Sequence, residues 1–414
     1  MDPNLLRSYA NVLLSAVNLQ RGQCVLVRGE PVHLPFIGIL AEEAYVRGAR
    51  YVRYDTAESE NPRLYKARVE RSLEEYLDYA PRALYDPYGS ILDEDWAMIV
   101  LHAPEDPDFL AALDPDRNAR CVRSAARAMQ PHRRRIVSGN EIAWLVAFLP
   151  TEGMASRILG LPPGPEAVEE LWRILVPILR LDRPDPAAAW GEHCRDLAAR
   201  AERLTALGLE SLRFRGPGTD LTVGLPEGAI WLGGPERTAK GRLFFPNIPT
   251  EEVFTSPHLR RAEGRAAFTR PVLVPSVGKT VEGGWIEFRD GRAVGWGAGS
   301  GKEVLDTLLS MDEGARSLGE VALVDGSSPI FASGKTFHNI LFDENAACHI
   351  ALGSAFPGCL RGAEGRPEED LPGLGLNVSM VHTDFMIGGP EVDVTGTGRD
   401  GREIRVMTGG RFEV

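Results

Sequence analysis

Apolar residues recur at helical spacing through the first twenty positions, at Leu6, Tyr9, Leu13 and Val17, and Asn11 and Asn18 interrupt them. This stretch is expected to be an amphipathic helix of the mature protein, since a signal peptide needs a basic leader and an unbroken apolar run. The chain then alternates. Residues 24–27, 51–54, 97–101 and 135–137 have strand composition. Between them the spacing predicts helices over 35–47, closed by Gly48, near 64–79 and near 106–129. Strand and helix in turn predict a largely parallel sheet with helices on its faces. No Gly-x-Gly-x-x-Gly opens a helix after the first strand, so the usual dinucleotide fingerprint is missing.

A further helix is predicted over 165–179, leading into Asp182-Arg183-Pro184-Asp185-Pro186, where prolines and charges mark a boundary. At 414 residues the chain exceeds what one hydrophobic core usually serves. Two domains are therefore expected, 1–185 and 186–414. Beyond the boundary the pattern changes: Gly216-Pro217-Gly218 separates two strand-like runs, and Trp285-Ile286-Glu287-Phe288 alternates before the hairpin turn Asp290-Gly291. The expected fold is α/β: an N-terminal domain built on a largely parallel sheet, then a mixed C-terminal domain rich in antiparallel sheet.

Composition narrows the function. Hydrophobic residues at 43% and charged residues at 25% are those of a globular protein, and no uncharged apolar run is long enough for a spanning helix. The net charge of −12 argues against nucleic-acid binding, which depends on clustered cations. Arg133-Arg134-Arg135 reads instead as a solvated strand entrance. Cys24, Cys121, Cys194, Cys348 and Cys359 are odd in number and form no Cys-x-x-Cys, as expected of reduced thiols in a cytoplasmic protein. Only Lys66, Lys240, Lys279, Lys302 and Lys335 are lysines among 46 basic residues, a bias that suits a GC-rich genome or heat adaptation.

Several candidate chemistries fall away. Gly297-Ala298-Gly299-Ser300-Gly301-Lys302 runs into Glu303, and Ser333-Gly334-Lys335-Thr336 has Pro329 in place of the leading glycine, so both read as turns rather than phosphate loops. Cys348 and His349 are neighbours in a predicted helix and would not face each other. No Gly-x-Ser-x-Gly elbow is present. What remains is Val381-His382-Thr383-Asp384-Phe385, a strand in which His382 and Asp384 project from one face. His349 is expected on a helix capped at Asp343, either as a satisfied core histidine or as a ligand. Glu320 is expected to open a buried strand after a helix over 312–318, and a carboxylate there needs a partner. Glu251 and Glu252 adjoin a β-prone run, so only one can face inward, and spacing does not choose between them.

The segments PTEEVFTSP (249–257), LGEVALV (318–324), LFDENAACHIALG (341–353) and VHTDFMIG (381–388) together resemble the thermophilic metallo-aminopeptidases, with a weaker match at LPTEGMA (149–155). The resemblance implies a C-terminal site with two divalent ions (zinc, cobalt or manganese) held by Glu252, Glu320, His349, His382 and Asp384. It prefers Glu252 over Glu251, gives Glu320 the bridging role and Glu252 that of proton-transfer partner. It further implies hydrolysis of short peptides from the N-terminus by a metal-activated water, and a homodimer. Phe356 departs from it, standing where family members carry a tyrosine near the metals. Two rival readings follow. Ring-cleaving dioxygenases of dihydroxypyridine type resemble these peptidases distantly and hold one Fe(II) by two His and one carboxylate, which His349, His382 and Asp384 match. With Phe356 lacking a phenol, the chain would otherwise be a catalytically silent homologue.

Overall fold

The computed structural model describes residues 2–56, 61–274 and 277–414; Met1, the first residue of the expected N-terminal helix, lies outside them. By contacts the chain divides into two compact units, Met1–Glu192 with Pro235–Pro249, and His193–Gly234 with Thr250–Val414. The division thus falls inside the helix Pro186–Ala206 rather than ahead of it at residue 185, and the segment 235–249 returns to the first unit. Among the described residues no helix is long and apolar enough to cross a membrane.

In the first unit the helix Pro3–Ala16 starts at Pro3, with the Asp2 carboxylate accepting from the Asn4 amide at 2.9 Å. It buries Tyr9 and Leu13, and Val17 just past its end, as the spacing requires. Five parallel strands form the sheet in the order Tyr51–Asp55, Cys24–Arg28, Ala97–Leu101, Trp144–Ala147, Asn247–Ile248. One expected strand is absent: residues 135–137 lie in the turn Arg134–Ser138, which continues the helix Pro115–Arg133. Ile136 is buried there beside Leu26 and Met98, so its apolarity serves helix-to-sheet packing and not a strand. The helix expected near 106 begins only at Pro115, where Asp114 caps the Arg117 amide at 2.9 Å. The one expected near 64–79 spans Pro62–Arg71 and is followed by the short turn Glu74–Tyr76.

The second unit carries an eight-stranded antiparallel sheet in which Leu209–Gly216 and Thr219–Gly224 flank the predicted Gly-Pro-Gly turn. Trp285–Arg289 and Arg292–Gly297 meet through Asp290 and Gly291, both at positive φ (51° and 76°), which a two-residue hairpin requires. A second sheet of four antiparallel strands has the order Glu252–Thr255, Leu318–Val324, His349–Gly353, His382–Met386. Its Val253, Val321, Leu323, Ile350, Leu352 and Phe385 join Phe214 and Phe288 in one apolar core.

Two expectations about this small sheet change. Residues 312–318 form no full helix: a single turn Gly314–Arg316 precedes a strand that already begins at Leu318 and includes Gly319 and Glu320. A Cβ on Gly319 would stand 2.3 Å from the Ser354 carbonyl oxygen, so glycine permits the close approach at this irregular point in the strand pairing. His349 likewise lies on a strand, the helix after Asn339 being confined to Ile340–Asp343 and the turn Glu344–Ala346. Every residue of that strand is buried, and a strand enclosed on both faces shows no alternation by which to tell it from a buried helix.

Candidate metal centre

Strand register assembles the site. Glu320 stands opposite Ala351, which stands opposite Asp384; Ala322 stands opposite His349; Gly353 stands opposite His382. Residues directly opposite share a face, and residues two apart along a strand return to it. Glu252, paired with Val324, therefore projects from the same face as Glu320, His349, His382 and Asp384. Ala322 and Ala351, between the polar side chains, keep the middle of that face clear. A Cβ on Gly353 would meet the Val381 carbonyl oxygen at 2.0 Å, so the strand bearing His382 closes in only because this position is glycine.

The five side chains form two overlapping groups. Ligand atoms of Glu252, Glu320 and His349 lie within 4.8 Å of one another, and so do those of Glu320, His382 and Asp384. His349 Nε2 is 3.2 Å from Glu252 Oε2, and His382 Nε2 is 3.0 Å from Glu320 Oε2 and 3.4 Å from Asp384 Oδ1. Glu252 Oε2 and Asp384 Oδ1 are buried and make no well-aligned hydrogen bond among the described residues. Buried carboxylate oxygens left this way are costly unless something else takes up their charge. The remaining ring nitrogens are oriented by backbone carbonyls, His349 Nδ1 at 3.2 Å from Ala347 O and His382 Nδ1 at 2.9 Å from Ser354 O. A histidine whose second nitrogen is held by a carbonyl presents the other to a metal in a fixed tautomer.

The electrostatics agree with a cation site. Burial would lower the His349 pKa, but Glu252, Asp384 and Glu320 outweigh it and raise it to about 10. For His382 desolvation is likewise overcome by Asp384 and Glu320, and its pKa is held well above the ordinary range. Desolvation raises Glu320 against the opposing pull of His382, whereas in Asp384 the charge of His382 overcomes burial and lowers it. The negative charge gathered here favours any positive charge brought to it, proton or metal ion.

The adjacent glutamates separate by strand alternation. Glu252 turns to His349, and Glu251 turns to His193, whose Nε2 is 3.4 Å from Glu251 Oε2 and 2.8 Å from the Thr250 carbonyl oxygen. Sequence reasoning missed Glu344. Desolvation and then the charges of Glu252 and Asp384 push its carboxyl well above the ordinary range. Within a segment read as one long helix, nothing marked Glu344 as facing residues nearly a hundred positions away. It also missed Asn345, fully buried, whose Oδ1 accepts from the Glu251 amide at 2.6 Å and whose Nδ2 donates to Leu341 O at 3.0 Å and Glu344 Oε1 at 3.3 Å. This amide ties the start of the Glu252 strand to the turn carrying Glu344. Asn345→Ala would strand two buried backbone groups, each costing about 1–3 kcal/mol. A clear drop in the urea midpoint is expected, and an unchanged midpoint would remove Asn345 from this role.

A cluster of carboxylates and imidazoles on one sheet face is a candidate metal centre. The model for the thermophilic metalloproteases (M29) matches residues 3–412. The chain belongs to that family. It is 41% identical to aminopeptidase T of Thermus thermophilus over 96% of this chain and 95% of that one, and 35% identical to aminopeptidase 2 of Geobacillus stearothermophilus over 98% and 97%. The solved structure of wild-type AmpT from Thermus thermophilus superposes with a TM-score of 0.91 at 38% identity, covering 99% of both chains.

Proposed function

We propose that the chain is a metallo-aminopeptidase that releases N-terminal residues from short peptides, with Glu252, Glu320, His349, His382 and Asp384 holding two divalent ions. The observation that carries this is the overlap of two three-residue groups at Glu320, which suits a carboxylate shared between two ions. The donor set of oxygen and imidazole nitrogen fits zinc, cobalt or manganese. Such ions, when bound, supply a water deprotonated near neutral pH and polarise the scissile carbonyl. The protein's own groups do the rest. Ala347 and Ser354 carbonyls hold the two imidazoles in register. Glu252 serves as a ligand and as the proton-transfer partner. The Glu344 carboxyl, which desolvation and then the charges of Glu252 and Asp384 push well above the ordinary range, is a second candidate for that proton transfer. The protein would be a homodimer, as the family resemblance implies, and cytoplasmic, in keeping with its unpatterned cysteines.

A single-iron oxygenase would leave Glu252 and Glu320 without a task, whereas a pair of ions would use both. Elemental analysis of protein purified without chelator, together with hydrolysis of leucyl peptides, tests the proposal. Two ions per protomer with metal-dependent release of amino acid is the expected result. One iron with oxygen uptake on a dihydroxypyridine would replace it with the oxygenase, and two ions without turnover would make the chain a silent homologue.

The pKa of His349 adds a prediction. With that ring held at about 10, it carries a proton at pH 7, and a ligating nitrogen must lose it. Metal loading at pH 7 is therefore expected to release protons, and affinity is expected to rise with pH. Calorimetric titrations in buffers of different ionisation heat measure this directly; heats independent of buffer would contradict it.

A further inference from the structure

We infer that Phe356 and Phe254 form the wall that contacts the side chain of the substrate's first residue, so that the site selects peptides with a large apolar N-terminal residue. This rests on the aminopeptidase reading. Of the five ligand side chains four are at most 10% exposed, whereas that of His382 is 26% exposed, so the cluster opens to solvent on the His382 side. The Phe356 ring meets that imidazole edge-on, with centroids 5.0 Å apart and planes at 62°. Phe254 backs it at 5.4 Å and 63°.

Both phenyls are half-buried, in contrast to the sealed core rings Phe385 and Phe288. Phe254 is two residues beyond Glu252 on the same strand and so projects from the ligand-bearing face, while Val253 between them enters the core. Phe356 is fixed from behind: its amide donates to Ser256 Oγ at 2.9 Å, and that hydroxyl is fully buried. The backbone that carries the Phe356 ring is thus anchored before substrate arrives.

Substrate chemistry places the first side chain against it. In an aminopeptidase the free α-amine and the scissile carbonyl flank one Cα, and both must reach the ligand-bearing face. The side chain on that Cα is then held beside the same face and can reach only the groups bordering it. On the open side those groups include the Phe356 and Phe254 rings, which carry no polar atom. Leucyl and phenylalanyl residues lose apolar surface to water there, and a charged side chain would be desolvated without a partner.

The experiment compares kcat/KM for leucyl, alanyl and aspartyl dipeptides with the metal-loaded wild type, Phe356→Ala, Phe254→Ala and the milder Phe356→Leu. Wild type is expected to favour leucyl over alanyl and aspartyl substrates by about tenfold or more. Each alanine variant should lose most of that preference through the leucyl substrate while keeping its metal content, and Phe356→Leu should retain much of it. Calorimetric binding of free leucine against free alanine gives a second readout without turnover, with the leucine advantage shrinking in the same variants. Equal rates on all three substrates in wild type, or an unchanged leucyl-to-alanyl ratio in both alanine variants, would overturn the wall. If wild type releases nothing from any peptide the aminopeptidase reading falls, and a leucine advantage in binding that both alanine variants retain would overturn the wall separately.

Discussion

Glu320→Gln is expected to empty both halves of the centre at once, taking metal content from two ions per protomer to below one and amino-acid release down by about a thousandfold or more. Loss of a single transition-state stabiliser already costs about 10² to 10³ in turnover, and Glu320 belongs to both ligand groups. The substitution keeps shape and removes charge. Its carboxylate is buried beside Glu252 and Asp384, and both desolvation and those neighbours disfavour ionisation. Neutralising it should therefore leave the metal-stripped protein at least as resistant to heat as the stripped wild type. Circular dichroism would show a retained fold, separating lost ligation from unfolding. Full metal content with activity within about tenfold of wild type would remove Glu320 from the bridging position.

The second large effect is a contrast between neighbouring choices. His382→Ala removes one proposed ligand nitrogen and the most exposed side chain of the cluster, and should lower metal content together with activity by about two or more orders of magnitude, on the order of what one lost stabilising group costs. Glu251→Ala should leave the metal largely in place, because the Glu251 carboxylate faces His193 rather than the cluster. Some stability should be lost, since the Glu251 side chain is buried and its partner imidazole would lose a carboxylate. Metal analysis on both variants decides the matter. An emptied site in Glu251→Ala would exchange the roles assigned to the two adjacent glutamates.

Much of this protein was legible in its sequence because the signal was local. Period and punctuation located the N-terminal helix, strands at 24–27, 51–54 and 97–101, the Gly-Pro-Gly turn and the hairpin at Asp290-Gly291. The pair His382 and Asp384 was readable for the same reason, since two residues apart in a strand means one face. Where the pattern failed, burial had erased it: residues 349–353 are covered on both faces, so a strand there looks like an apolar helix. Residues 135–137 failed in the opposite way, being apolar enough for a strand yet serving as the end of a long helix.

The sequence by itself determined the residue types of the site, the alternating architecture of the first unit and the antiparallel character of the second. Only the tertiary structure decided which groups meet. Glu252, Glu320, His349 and the His382–Asp384 pair come from four strands, and their convergence depends on register, which long-range pairing fixes and no local propensity encodes. The same holds for the choice between Glu251 and Glu252, for the raised carboxyl of Glu344, and for the phenyl wall of Phe254 and Phe356. Each is set by what another strand or turn brings within a few ångströms, and a linear chain does not record that distance.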